Sequence, residues 1–197
     1  MQILKKPCGS YETNCYILTT DNGELIIDPG QGAFEWIKSV VKKPIAILNT
    51  HGHFDHVWDN QKTKEVYNIP IYTPKDDVFM LQNDIFGLGV PHSVVDEAVD
   101  EAEYNIGGAT VKFWHFAGHT PGCSAIEIDG ALFSGDFIFK GSIGRVDFPY
   151  SNPSDMKKSL QKFLDFEEDL KVYPGHGGET TVFKEKNSAK GWLSYLD

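Results

Sequence analysis

The stretch "NTHGHFDHVWDN", residues 49–60, limits what this chain can be more than any other, because it sets three histidines and two aspartates directly behind the apolar run "PIAIL". A merely polar loop does not call for three imidazoles. Neutral imidazole and ionised carboxylate are the donors that suit zinc and related divalent ions, and a cation offsets the cost of gathering so many of them in one turn. The turn therefore reads as half of a metal cradle. Further ionisable residues stand just beyond other apolar runs: His119 after "WHFAG", Asp136 after "ALFSG" and His176 after "VYPG". Each has a glycine immediately before it, which permits a tight turn and removes a side chain that would crowd a ligand. Taken singly these three are ordinary polar residues, and together with the 51–56 cluster they point to one site. His92 and His115 read as surface or hydrogen-bonded histidines, and strand alternation in "KFWHF" accounts for the second. Asp28 in "DPG" marks a turn, or supports the nearby site from behind its donors.

Strand-like and helical stretches alternate around these positions. "NCYILTT" and "GELIIDPG" are apolar and β-branched, and the "DNG" between them predicts a hairpin. "GAFEWIKSVVKK" has helical spacing at Phe34, Ile37, Val40 and Val41, and the buried-type strand "PIAIL" follows it. "DNQKTKEVYN" and "PKDDVFMLQND" are expected helices, the second opened by its proline in the first turn. A second series runs through "ATVKFWHF", "SAIEID" and "ALFSGD" to the helix "PSDMKKSLQKFLDF", with Ser154 as its expected cap, then to the strand "LKVYPG" and a terminal helical segment. Two rounds of strands followed by helices suggest two sheets packed together with helices outside.

Length and charge narrow the function classes. A chain of 197 residues without repeats or linkers suits one domain over residues 1–197. Cys8, Cys15 and Cys123 are odd in number and form no CxxC pair, so they read as reduced thiols rather than a cystine scaffold. The start "MQILKKPCGS" has no apolar stretch or cleavage site behind its lysines, and no run approaches about eighteen apolar residues. A soluble cytoplasmic protein without a membrane partner is the expectation. A net charge of −10 would repel a phosphate backbone, which argues against nucleic acid. Neither GxSxG, HExxH nor a Walker pattern occurs, and nucleotide cofactors are not indicated.

"THGHFDH" fits an HxHxDH signature, and "GHTPG", "SGDFIF", "GSIGRVDFP" and "VYPGHG" follow it in order. Through these motifs the chain, from about Cys15 to His176, resembles the metallo-β-lactamase superfamily, and within it the short glyoxalase II-like (hydroxyacylglutathione hydrolase-like) enzymes. The resemblance implies an α+β fold, a four-layer αβ/βα sandwich with a two-metal site at one edge. Carried over residue by residue, it implies one ion held by His51, His53 and His119, a second held by Asp55, His56 and His176, and Asp136 bridging them. The cofactors expected are two divalent ions, zinc first, with iron or manganese accepted by the same donors.

Two such ions roughly 3.5–4 Å apart can share a water and lower its pKa from near 15.7 toward about 7, so a bridging hydroxide is the expected nucleophile. Asp55 is the expected catalytic residue, orienting that hydroxide and accepting its proton, while a metal stabilises the developing oxyanion. A thioester suits such a site, since thiolate leaves without a strong general acid and none is evident besides the ligands. An ester or lactone comes next. The expected partner is a small-molecule thioester or ester. Arg145 occupies the "GR" position whose basic residue contacts a glutathione carboxylate in the resembled enzymes, and is the expected substrate contact through paired N–H donors. An ion pair with Asp147 is the other reading of Arg145, and Asp147 and Gly178 stand where two glutathione-binding tyrosines are found in that family. "NDIFGLGVPHS", residues 83–93, is a flap or wall over the site, or core packing. Persulfide dioxygenases resemble this sequence too, and bind a single iron through the positions of His51, His119 and Asp136. A non-enzymatic metal-binding protein is the third class. β-Lactamase action is the less expected one, since those enzymes are generally exported.

Overall fold

The computed structural model describes residues 2–196. Its first sheet has the strands β1 (Gln2–Cys8), β2 (Thr13–Thr20), β3 (Gly23–Ile27), β4 (Pro44–Leu48), β5 (Ile71–Pro74) and β6 (Glu97–Val99) side by side in that order. β1 to β3 are antiparallel and β3 to β6 parallel. The second half adds β7 (Glu103–Ile106), β8 (Ala109–His115), β9 (Ser124–Ile128), β10 (Ala131–Gly135), a hairpin of β11 (Ile138–Phe139) and β12 (Ser142–Ile143), then β13 (Lys171–Pro174) and β14 (Thr180–Thr181). Its sheet runs β14-β13-β10-β9-β8-β7, with β10 and β13 parallel. The helices are α1 (Ala33–Val40), α2 (Phe54–Val57), α3 (Asn60–Tyr67), α4 (Val78–Gln82), α5 (Pro153–Leu164) and α6 (Val182–Tyr195).

The alternation of each strand decides which layer its side chains enter. Tyr16 and Leu18 of β2 point between the sheets, where they meet Leu25, Ile27 and Leu48 and, from the other sheet, Val111, Phe113, Ile126 and Phe133. Cys15 and Ile17 point the other way and, with Ile26, Ile47 and Ile71, pack under Ala33 and Ile37 of α1. On the far side Ala125, Leu132 and Val172 pack against Met156, Leu160 and Phe163 of α5 and Val182 and Ala189 of α6. Both faces of each sheet are covered, which is why the central strands read as continuous apolar runs. The result is the expected four-layer αβ/βα sandwich.

Some details depart from the sequence reading. Pro74 does not open a helix: it is the last residue of β5, paired with Val99, and a 3₁₀ turn over Lys75–Asp77 intervenes before α4. That turn carries the Asp77 side chain inward. Helix α5 is capped by Asn152, whose Oδ1 accepts from the backbone N–H of Ser154 and Asp155 at 2.9 and 3.3 Å, not by Ser154, so Pro153 takes the first helical position. β1 was also not expected as a strand, and it is an edge strand whose Lys5, Lys6 and Pro7 are exposed. Among the described residues no helix is long and apolar enough to cross a membrane.

The ends of β4, β8, β10 and β13 open onto one edge of the sandwich. The two sheets are joined there by the Asn14 N–H donating to Gly175 O at 2.7 Å and by the Ser124 N–H donating to Thr50 O at 2.9 Å.

Candidate metal centre

The loops at that edge bring together all seven residues of the expected donor set. His56 Nε2 lies 3.2 Å from Asp136 Oδ1 and 3.5 Å from Asp55 Oδ2. His119 Nε2 and His176 Nε2 each approach Asp136 Oδ2 at 3.4 Å, and His176 Nε2 is also 3.4 Å from Asp55 Oδ2. His53 Nδ1 is 2.8 Å from His119 Nε2, and the His51 ring lies 4.1 to 5.1 Å from those of His56, His53 and His119, tilted or edge-on to each. His51, His53, Asp55, His56, His119 and Asp136 are buried, and the His176 side chain is 29% exposed at the mouth.

Hydrogen bonds on the far side of each ring fix its tautomer. Thr50 Oγ1 gives its proton to Asp28 Oδ2 (2.6 Å) and so accepts from His51 Nδ1 (3.0 Å). His56 Nδ1 donates to Asp28 Oδ2 (2.9 Å), His119 Nδ1 to the carbonyl of Arg145 (2.8 Å) and His176 Nδ1 to the carbonyl of Tyr11 (3.0 Å). In all four rings Nδ1 is engaged on the outer side and Nε2 faces the centre, which is how metal-binding histidines are held. Three buried ring nitrogens, His51 Nε2, His53 Nε2 and His56 Nε2, have no hydrogen-bond partner, and neither has Asp136 Oδ1. A cation would satisfy such groups, and His56 Nε2 and Asp136 Oδ1 otherwise face each other at 3.2 Å. The donors sort into the triads His51, His53, His119 and Asp55, His56, His176, with their ligand atoms within 4.8 Å of one another. Asp28, His51 and His56 form a third such group. Asp28, however, already accepts from the Thr50 N–H (2.8 Å), the Thr50 hydroxyl and His56, so its oxygens are engaged behind the donors.

The two triads differ electrostatically. Burial, reinforced by neighbouring imidazoles, pushes His51 well below its ordinary pKa and His53 down to about 3, so these two rings are neutral. Burial also opposes charge on His56, but Asp55, Asp136 and Asp28 outweigh it and push that ring well up. At His176 burial is likewise outweighed, by hydrogen bonds to Asp136 and Asp55, and its pKa rises to about 9. Burial would raise Asp55, yet His56, His176 and the Thr13 hydroxyl, which donates to Oδ2 at 2.6 Å, hold it at about 2. Asp136 is held well below the carboxylate range in spite of burial, by His56 first and then His176. Protons on His56 and His176 thus stand in for a cation beside the carboxylates.

Glycines make the close approach possible. A Cβ on Gly175 would lie 2.2 Å from Asp136 Oδ1 and 2.7 Å from His56 Cε1, and one on Gly144 only 3.0 Å from His119 Nδ1. Two supports were not read from the sequence. Thr13 is one. The other is buried Asp77, which accepts from the Gly52 N–H (2.9 Å), the Thr120 hydroxyl (2.6 Å) and the Gly122 N–H (2.6 Å), and so ties the 51–56 loop to the 119–122 loop. Asp77 stands beside Asp76 and looks like a first-turn helix acid, so nothing in the sequence signalled it.

Above the centre lies a cavity of about 280 Å³, lined by Tyr11, Phe54, Phe86, Leu88 and Phe148 around His53, Asp55, His119 and Asp136. Phe86 and Leu88 come from the 83–93 segment, whose Ile85 packs instead against Val57, Met80 and Leu81. Arg145 is not in the lining: its exposed guanidinium forks onto Asp147 at 2.9 and 2.8 Å and lies 4.3 Å over the Phe148 ring. His92 is exposed, and His115 Nε2 donates to the carbonyl of Pro121 at 2.8 Å, outside the centre. A larger hollow of about 540 Å³ around Trp114 and Phe166, on the outer side of the second sheet, contains none of the seven donors.

A model of the metallo-beta-lactamase superfamily matches residues 9–176, and the chain belongs to that superfamily of metal-dependent enzymes. It is 31% identical to the probable metallo-hydrolase YqgX of Bacillus subtilis (95% of each chain) and 30% identical to the hydroxyacylglutathione hydrolase GloC of Haemophilus influenzae (92% of this chain, 93% of that). Among solved structures, BLEG-1 B3 metallo-beta-lactamase is similar at TM-score 0.87 and 30% identity, over 94% of this chain and 97% of that one. TTHA1623 in a di-iron-bound form is similar at TM-score 0.82 and 30% identity, over 94% and 98%. The chain is thus a metal-dependent hydrolase of this superfamily, with histidine and aspartate groups able to hold metal.

Proposed function

We propose that the chain hydrolyses a small-molecule thioester by attack of solvent at a two-ion centre, one ion held by His51, His53 and His119, the other by Asp55, His56 and His176, with Asp136 between them. The observation that supports this is the set of four Nδ1 hydrogen bonds on the outer side of the rings, which turn the Nε2 atoms of His51, His56, His119 and His176 toward the centre that holds Asp55 and Asp136. Divalent ions bound there supply Lewis acidity and make a water acidic enough to attack at neutral pH. Zinc leads the candidates, and the di-iron form of TTHA1623 keeps iron among them. Asp55, ionised and steered by the Thr13 hydroxyl, orients the solvent nucleophile and takes up its proton. Apart from the donors themselves the cavity lining holds no carboxylic acid or ammonium, only the Tyr11 phenol as a weak acid, which favours a thiolate leaving group, with esters and lactones second. The name of the Haemophilus influenzae relative, a hydroxyacylglutathione hydrolase, supports the thioester reading. Arg145 would receive an anionic substrate tail only by opening its fork to Asp147. The three free, buried cysteines suit a reducing compartment, and the proposal sets the activity in the cytoplasm without nucleic-acid or membrane partners.

Protein prepared anaerobically and analysed for metal, then assayed on thioesters, lactones, cephalosporins and persulfides, tests this reading. The expected result is about two ions per chain and thiol release that disappears on chelation and returns with metal. One iron per chain with oxygen uptake on a persulfide would overturn it in favour of a dioxygenase.

A further inference from the structure

Resting on the thioester reading, we infer that the cavity selects an apolar acyl group, medium-chain or aryl, rather than a charged peptidic thioester. Five of its lining residues, Tyr11, Phe54, Phe86, Leu88 and Phe148, are large and mostly apolar, and it has no lysine or arginine. The rings brace one another edge-on: Tyr11 with Phe54 at 5.1 Å, Phe54 with Phe86 at 5.5 Å, and Phe86 with Phe148 at 6.2 Å. His53 joins the same wall, 5.5 Å from Phe86 and 5.9 Å from Phe148. The apolar surface therefore begins at the metal donors, next to the position of a reacting carbonyl.

The nearby cation does not change that character. Arg145 is held by both carboxylate oxygens of Asp147 and lies 4.3 Å over the Phe148 ring, while its backbone carbonyl orients His119. In this arrangement Arg145 braces the wall rather than facing a ligand. A glutathionyl group brings two carboxylates and an ammonium, and burying them against phenyl rings without partners is unfavourable. The cavity, about 280 Å³, also lies just under the usual range of roughly 300–1,000 Å³ for drug-sized ligands, so it fits an acyl group better than a whole tripeptide conjugate. An apolar acyl chain gains about fourfold in binding for each methylene it buries.

The test uses metal-loaded protein and a fixed thiol, N-acetylcysteamine, carrying acetyl, butyryl, hexanoyl or phenylacetyl groups, with S-lactoylglutathione beside them. The expected kcat/KM rises by about tenfold or more from acetyl to phenylacetyl, and S-lactoylglutathione falls below phenylacetyl. Phe86→Ala and, separately, Leu88→Ser each compress the phenylacetyl-to-acetyl ratio by about threefold or more. A flat acyl series, or a preference for S-lactoylglutathione, would overturn the inference. Calorimetric binding of acetate, hexanoate, phenylacetate and glutathione to the same protein separates this inference from the reaction it rests on. Tighter phenylacetate than acetate supports the apolar cavity even if no thioester turns over, a result that would reject the thioester reading alone. Equal affinities, or tighter glutathione, reject the cavity assignment whatever the turnover.

Discussion

At the floor of the site each of four imidazoles is aimed by a hydrogen bond from Nδ1, whereas the walls just above are held by edge-on ring contacts with no comparable direction. The floor needs angular precision, because a lone pair a few tenths of an ångström out of line no longer meets a cation. The walls need only shape and dryness. Substitutions in the floor should therefore abolish function, and substitutions around the walls should redirect it.

Asp136→Asn is the most damaging change the comparison predicts. The carboxylate lies within 3.4 Å of His56, His119 and His176, so losing its charge should lower kcat/KM by about a thousandfold and the metal content below that of the wild type. A loss under tenfold would break the claim that the floor is the reacting centre. Metal loading should also depend steeply on pH. His56 is pushed well up and His176 to about 9, so both carry protons near neutrality in the metal-free protein, and binding must displace them. Affinity should fall by about tenfold or more for each pH unit below 7, and calorimetry in buffers of different ionisation enthalpy should count about two protons released. Asp28→Asn leaves every donor in place but weakens the acceptor behind His56, with an expected loss of about 10–100-fold in metal affinity.

Asp77→Asn sharpens the comparison from the structural side. An amide cannot accept from all three donors that Asp77 now satisfies, and leaving one buried and unpaired should cost about 1–3 kcal/mol, read as a lower unfolding midpoint. The smallest effect belongs to the rim. Asp147→Asn releases Arg145, and should raise kcat/KM severalfold for thioesters that end in a carboxylate while uncharged substrates keep their rates. An equal change for both kinds would mean that the fork does not govern selectivity.

The same contrast explains what the sequence revealed. That His51, His53, Asp55, His56, His119, Asp136 and His176 meet at one edge was legible because few residue types suit a metal-donor set and strand ends with glycines mark where they fall. The layered fold was legible through alternation, since Tyr16 and Leu18 enter one core and Cys15 and Ile17 another. Thr13 and Asp77 stayed hidden because their roles exist only once distant loops meet: Thr13 reaches Asp55, and Asp77 reaches Gly52 and Gly122. The walls were the least legible part. Phe54, Phe86 and Phe148 look like core residues in a sequence, and only the fold leaves them facing a cavity. β1 escaped notice for the opposite reason, since lysines and a proline on an exposed edge resemble a loop.

The central claim is that the floor holds two cations in separate triads, and anomalous diffraction from crystals grown with zinc or manganese tests it most directly. The account predicts two peaks per chain, one among His51, His53 and His119 and the other among Asp55, His56 and His176, with Asp136 reaching both. A single peak, or one seated on Asp28, His51 and His56, would contradict it.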